Sequence, residues 1–214
     1  RRLARRNTKL GGRTRRDDRN NEYKKGDRRL LKNYRPISLL TADYTILAKV
    51  MTERMKPVLK SIIKNDQQGF IEDGEITGNL MLVKAMIDYC NDEDDADAAI
   101  ILMDFMKAYD RGDRTAMMKT LNEMGFSPEF RRVIETMYTE VGGVIEVNGE
   151  MTDNLITQGG VRQGCPLSPY LFICVLELMA IEIRQNTAIE GITEPITKQQ
   201  DKISLFADDS IIGV

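Results

Sequence analysis

The sequence predicts an α+β fold. Three observations carry that expectation: segments with helical apolar spacing, two stretches with the signature of antiparallel hairpins, and the interleaving of the two kinds along the chain. Of the 214 residues, 42% are hydrophobic, enough to bury a core.

The elements follow in order. Residues 1–22 read as a basic head without structure, because RRLARRNTKLGGRTRRDDRN has almost no apolar residues and no period. Order is expected from about Tyr23, so the chain divides into a head (1–22) and one body (23–214). TADYTILAKVMTERMKPVLKSII (41–63) sets Tyr44, Leu47, Met51, Met55, Leu59 and Ile62 at helical spacing, with Thr41 as N-cap. Pro57 is expected to kink or divide that helix. DQQGF (66–70) reads as a turn with a buried aromatic end. GNLMLVKAMIDYC (78–90) is a second amphipathic helix. The acidic NDEDDAD (91–97) lacks the glycine and closing glutamate of a calcium loop and reads as a solvated connection. AAIILMD (98–104) is a continuous apolar run, which predicts a buried strand with Asp104 at its C-terminal end.

RTAMMKTLNEMG (114–125) is helical and ends at Gly125 as a C-cap. SPEFRRVIETMYTEV (127–141) opens with Ser127 as N-cap and Pro128 in the first helical position. VIEVNGEMTDNLIT (144–157) is strand, Asn-Gly turn, strand. SPYLFICVLELMAIEIRQ (168–185) is a largely apolar, central helix. KISLFADDSIIGV closes with a second hairpin, its turn at Asp208–Asp209.

Composition narrows the chemistry. The chain has no histidine, which removes Ser–His and Cys–His triads and His-ligated zinc proteases. Cys90, Cys165 and Cys174 form no C-x-x-C pair, so neither a zinc site nor a disulfide framework is indicated. No apolar run reaches the length of a bilayer span, and no membrane contact is expected. The net charge of −2 conceals an asymmetry: residues 1–35 carry fifteen Lys/Arg against four Asp/Glu, and residues 36–214 carry sixteen against twenty-nine. Such a basic segment suits phosphates or another polyanion.

The remaining chemistry belongs to carboxylates. Asp104 ends one strand, and Asp208 and Asp209 sit at a hairpin turn. If the two strands are neighbours, three carboxylates converge, and a divalent cation would neutralise their repulsion. Oxygen ligands suit Mg²⁺ or Mn²⁺, and two such ions serve in-line phosphoryl transfer. On spacing alone, however, an Asp-Asp pair reads first as a polar turn.

Its company changes that reading. KKGDRRLLKNYRPISLL (24–40), DQQGF (66–70), MDFMKAYD (103–110), GGVRQGCPLSPYLF (159–172) and SLFADD (204–209) occur in this order. Together they closely resemble the reverse transcriptase domain of LINE-like (non-long-terminal-repeat) retrotransposons, from about Tyr23 to Val214. The resemblance implies right-hand polymerase fingers and palm, an antiparallel palm sheet with packed helices, and an RNA-directed DNA polymerase that adds dNTP to a primer 3′-OH. It implies two Mg²⁺ (or Mn²⁺) ions held by Asp104, the Phe105 carbonyl and Asp208, with Asp209 as the third acidic member. Tyr109 matches the aromatic beneath the incoming sugar, Gln163 and Gly164 match the Q-G against nucleotide and template, and Arg35 matches a triphosphate-gripping arginine. The implied partners are an RNA template, a DNA primer and dNTP, with nuclear and cytoplasmic location. A thumb beyond the A-D-D hairpin, an endonuclease, and a strand upstream of KKGD are expected to be absent from this stretch, which reads as a piece of a larger polyprotein.

The sequence departs from the family pattern at Gly112, where relatives usually carry valine, and at IEDGE (71–75), where many carry basic residues. These departures motivate a second reading, a remnant that only binds RNA or protein. A group II intron maturase or an RNA-directed RNA polymerase would share the carboxylates, but the wording of NYRPISLL and GGVRQGCPLSP favours the LINE type.

Overall fold

The computed structural model describes residues 17–30, 33–72, 74–92, 99–139, 142–147, 150–153, 155–157, 159–193 and 200–213. Two compact units emerge, one from residues 1–53 and 109–168, the other from residues 54–108 and 169–214. Helices and mainly antiparallel sheets make up both, so the α+β expectation holds.

The first unit is built on a mixed sheet. Strands β1 (Asp17–Tyr23) and β2 (Tyr34–Leu39) pair antiparallel, with Glu22 opposite Arg35. β1 also runs parallel to β4 (Gly142–Val147), with Asp18 opposite Val144. β5 (Glu150–Met151) and β6 (Leu155–Ile156) complete the order β2-β1-β4-β5, with β6 also on β4. β1 corrects two expectations. It starts inside the basic head, and it supplies a strand ahead of KKGD where none was expected. Polar DDRNNEY carries no apolar period, so its strand form comes from two backbone partners. Residues 1–16 lie outside the described residues. β4 and β5 pair as the Asn-Gly signature predicts, Val147 opposite Glu150, while the two turn residues themselves lie outside the described set.

Local signals place the helices of this unit. α3 (Ala108–Arg111) is a single turn. Asp113 caps α4 (Arg114–Glu123) by accepting from Ala116 N at 2.9 Å. The other end of α4 closes with Gly125 N donating to Asn122 O and Phe126 N to Leu121 O, the paired bonds of a Schellman end. Ser127 caps α5 (Pro128–Tyr138) by accepting from Phe130 N at 3.3 Å, with Pro128 in the first position.

Helix α1 (Ala42–Ile62) contributes residues to both units and is not divided at Pro57, which lies inside it. The missing N–H removes one helical bond, and the stripe Ala48, Met51, Met55 and Leu59, at most 2% exposed, holds the helix regardless.

In the second unit α2 (Ile76–Asp92) and α6 (Ser168–Gln185) accompany a sheet ordered β3-β10-β9: β3 (Ile100–Asp104), β9 (Ile203–Phe206), β10 (Asp209–Gly213). The short pair β7 (Ile192–Thr193) and β8 (Gln200–Asp201) belongs here too. Both pairings of the three-stranded sheet are antiparallel, as the resemblance implies. One face of the sheet packs Ile203, Leu205 and Ile212 with Ala180 of α6, joined by Met103, Met179 and Ile183. Because strand side chains alternate, the opposite face carries Asp104, Leu102 and Asp209. β3 was expected to be buried, but Leu102 is 73% and Ile101 45% exposed. Among the described residues β3 pairs only with β10, so it is an edge strand covered on one face. The aromatic of DQQGF is also corrected: Phe70 is 45% exposed with φ +59°, while Gln67 and Gly69 are the buried members of that turn.

Candidate active site

The acidic site of the second unit is assembled by register. β10 pairs with β3 so that Asp209 stands opposite Asp104. Directly opposed residues point to one face, with Cβ atoms about 5 Å apart. The hairpin turn consists of Ala207 and Asp208, because Phe206 pairs with Asp209 and closes it. The expected turn at Asp208–Asp209 is therefore one residue out. Asp209 opens β10 as the cross-strand partner of Asp104, and half-buried Asp208 projects from the turn beside it. Phe105 follows Asp104 directly after β3.

The turn is held from outside the hairpin. Gln67 Oε1 accepts from Ala207 N at 3.0 Å and from Gly69 N at 2.8 Å. Leu205 N donates to Asp66 O at 2.7 Å and Gln68 N to Leu205 O at 2.9 Å, so residues 66–68 run along the β9 edge. Gly69 lies against the turn so closely that a Cβ there would stand 2.2 Å from Ala207 N. Asp66 is fixed in turn by Arg184, whose Nε and Nη2 donate to its two carboxylate oxygens at 2.6 and 2.7 Å. Arg184 also binds Glu177, 3% exposed, at 2.8 Å. Burial works against the Arg184 charge, but its bonds to Asp66 and Glu177 outweigh this and hold it above the ordinary range. Burial, with the Glu177 charge added, pushes the Cys174 thiol up.

The donor set suits a hard cation. Among the described residues no group of three or more His, Cys, Asp or Glu forms a ready metal cage. Mg²⁺ does not need one, since it is commonly held by one or two carboxylates together with substrate phosphates. Asp104 and Asp209 in register, with Asp208 adjacent, fit that mode of binding.

The other predicted residues lie in the first unit. Tyr109, on α3, is half-buried, and its carbonyl accepts from Val161 N at 2.7 Å. Gln163 donates through Nε2 to Asp110 Oδ1 at 3.2 Å, and its carbonyl accepts from Ser38 N of β2 at 2.9 Å. Gly164 has φ +93°, and a Cβ there would stand 3.0 Å from Ser38 O, so this glycine serves its own approach to β2. Arg35 lies on the same strand β2. Gln163, Asp110 and Ser38 line a cavity of about 200 Å³ together with Arg114 and Arg162.

Two residues that sequence reasoning missed shape this loop. Arg114 gathers four carbonyls, donating to Thr157, Gly159 and Gly160 at 2.9–3.1 Å and to Tyr138 at 3.3 Å. Arg162, 7% exposed, places its guanidinium 4.5 Å over the Tyr44 ring and 6.0 Å over Tyr138. Burial pushes both phenols up, and Tyr138 keeps a 3.0 Å hydrogen bond with Ser168. Nothing local distinguishes these arginines from surface ones, because their partners lie far along the chain.

Comparison with known proteins agrees with this architecture. The chain is 34% identical over 192 residues to the transposon TX1 uncharacterized 149 kDa protein of Xenopus laevis, covering 88% of this chain and 14% of that protein. It is 25% identical over 191 residues to a retrovirus-related Pol polyprotein from the type-1 retrotransposable element R2 of Popillia japonica, covering 88% of this chain and 26% of that protein. The chain thus spans 14% and 26% of the length of these two relatives. In fold it is similar to apo telomerase from Candida tropicalis truncated from its C-terminal domain, with TM-score 0.62, 11% identity, and coverage of 94% of this chain and 44% of that one. The family described as reverse transcriptase (RNA-dependent DNA polymerase) matches residues 23–214. By that match and by its transposon relatives, the chain belongs to the reverse transcriptase family, in its LINE-like, non-long-terminal-repeat branch.

Proposed function

We propose that this chain is the nucleotidyl-transferring part of an RNA-directed DNA polymerase of a retrotransposon, extending a DNA primer on an RNA template. The observation that carries the reading is the register of Asp104 against Asp209 on one face of a three-stranded sheet, with Asp208 at the adjoining turn. Asp104, Asp208 and the Phe105 carbonyl are the groups that would hold two Mg²⁺ or Mn²⁺ ions, and Asp209 would support them. When bound, the ions supply charge neutralisation at the transferring phosphate and acidity at the primer hydroxyl. The chain's own part is to hold the carboxylates on a rigid sheet and to position the nucleotide. In this reading Tyr109 excludes a ribose 2′-OH, Gln163 and Gly164 lie along the nascent pair, and Arg35 grips the triphosphate, where a guanidinium fork matches phosphate oxygens.

The test is addition of a single deoxynucleotide to a DNA primer on an RNA template with Mg²⁺. Asp104→Asn and Asp208→Asn are each expected to lower the rate more than about 100-fold, the scale of losing one group that stabilises developing charge. Tyr109→Ala is expected to let ribonucleotides in while leaving deoxynucleotide addition in place. Unchanged extension in both aspartate variants would overturn the reading.

A further inference from the structure

We propose that Gln67 is a positioning residue for the acidic hairpin, moulding the Ala207–Asp208 turn through its buried side-chain oxygen and so setting where the Asp208 carboxylate points. The inference rests on the reading of Asp208 as a metal-holding group.

Gln67 is 2% exposed, and one of its atoms does unusual duty. Oε1 accepts two backbone N–H groups, Gly69 on its own segment and Ala207 on the turn, at 2.8 and 3.0 Å. Its Nε2, also buried, has no hydrogen-bond partner. A buried amide with an idle donor carries a cost, so this side chain is retained for its oxygen. A carboxylate would offer the same acceptor, but would bury another negative charge one residue from Asp208, near Asp104 and Asp209. A neutral acceptor is what an acidic turn tolerates.

The turn needs such a hold. Ala207 has φ +56°, a left-handed conformation that residues with a Cβ rarely adopt. The Gln67 bond fixes the N–H of that residue, and Gly69 leaves the space into which its backbone fits. Asp66 and Gln68 bind Leu205 two residues upstream, so the segment grips β9 and then the turn in succession. Asp208 follows Ala207 directly, and a rotation at Ala207 redirects its carboxylate. The conformation is over-determined by its surroundings, as backbone outliers at functional sites commonly are.

The probe is Mn²⁺ alone, its affinity for the whole chain measured by the paramagnetic relaxation of water protons, with thermal unfolding recorded in parallel. Gln67→Met keeps the bulk and removes the acceptor. Asn79→Leu is the control for plain stability, since Asn79, 8% exposed, donates to Leu205 O in the same strand at 2.9 Å but does not bond the turn. Gln67→Met is expected to weaken Mn²⁺ binding about tenfold, the lower end for residues that orient metal ligands. Asn79→Leu is expected to stay within about twofold at a similar loss of melting temperature. If Gln67→Met does not fold, Gln67→Asn, the same amide one methylene short, is expected to move the affinity in the same direction. Equal effects of the position-67 variant and Asn79→Leu, or no effect at position 67, would overturn the inference while leaving the site reading intact. Unchanged Mn²⁺ affinity in Asp208→Asn would instead overturn the site reading, and the inference with it.

Discussion

Gly112 and Gly69 look equivalent in the sequence and are opposite in space. At Gly112 an added Cβ would meet nothing nearer than Gly160 Cα at 3.9 Å, and its φ is not left-handed. The position that departs from the family pattern therefore has room for a methyl group. Gly112→Ala is expected to stabilise the chain by about 0.4–1 kcal/mol, mainly by restricting the unfolded state. At Gly69 the same methyl would enter the Ala207 backbone at 2.2 Å, and Gly69→Ala is expected to cost about 3 kcal/mol, the upper range for overpacking. Urea unfolding of the two variants checks both signs, and a loss at Gly112 would mean that the open space is not there. DQQGF is visible as a block in the sequence, yet its purpose is not, because Gln67 and Ala207 lie 140 residues apart.

At the scale of elements, legibility follows the range of the interaction. Ser127-Pro128 at a helix start, Gly125 at the end of α4 and the pairing across Asn-Gly are local signals, and the structure follows each of them. The exposure of β3 and the existence of β1 depend on which strands become neighbours, and periodicity does not encode that choice. The helix 168–185 is legible as apolar and central, but nothing in its sequence singles out Glu177 and Arg184 among its three charged residues. They form a half-buried cluster with Asp66 beneath the segment that grips the acidic hairpin. Arg184→Leu would strand Glu177, 3% exposed, without its cation, and is expected to destabilise the chain by about 3 kcal/mol. The double variant Arg184→Leu/Glu177→Leu is expected to recover part of that loss, because the uncompensated charge goes with it. A double-mutant cycle by denaturant unfolding measures the coupling, and additive losses would show that the two side chains stabilise independently.

For the molecule as a whole, charge distribution matters more than net charge. A template strand is a polyanion, and the proposed function asks a chain of net charge −2 to hold one. Residues 36–214 alone are strongly acidic, and the carboxylates of the site add to the repulsion until cations are bound. The compensating charge is concentrated at the N-terminus, where residues 1–16 carry eight Lys/Arg and no Asp/Glu. Since β1 begins at Asp17, removing those sixteen residues leaves the first sheet its full set of described strands. If the head contacts the strand, RNA binding by the whole chain falls steeply with salt, and its removal flattens the dependence. Each lost phosphate contact lowers the slope of log K against log salt by about 0.7 on a single strand, so three contacts lower it by about 2. Asp104→Asn is expected to leave the slope unchanged, which separates charge steering from chemistry at the site. An unaltered slope after removal of residues 1–16 would assign the phosphate contacts to the described body, with Lys24, Lys25 and Arg28 ahead of β2 as the next positions to test.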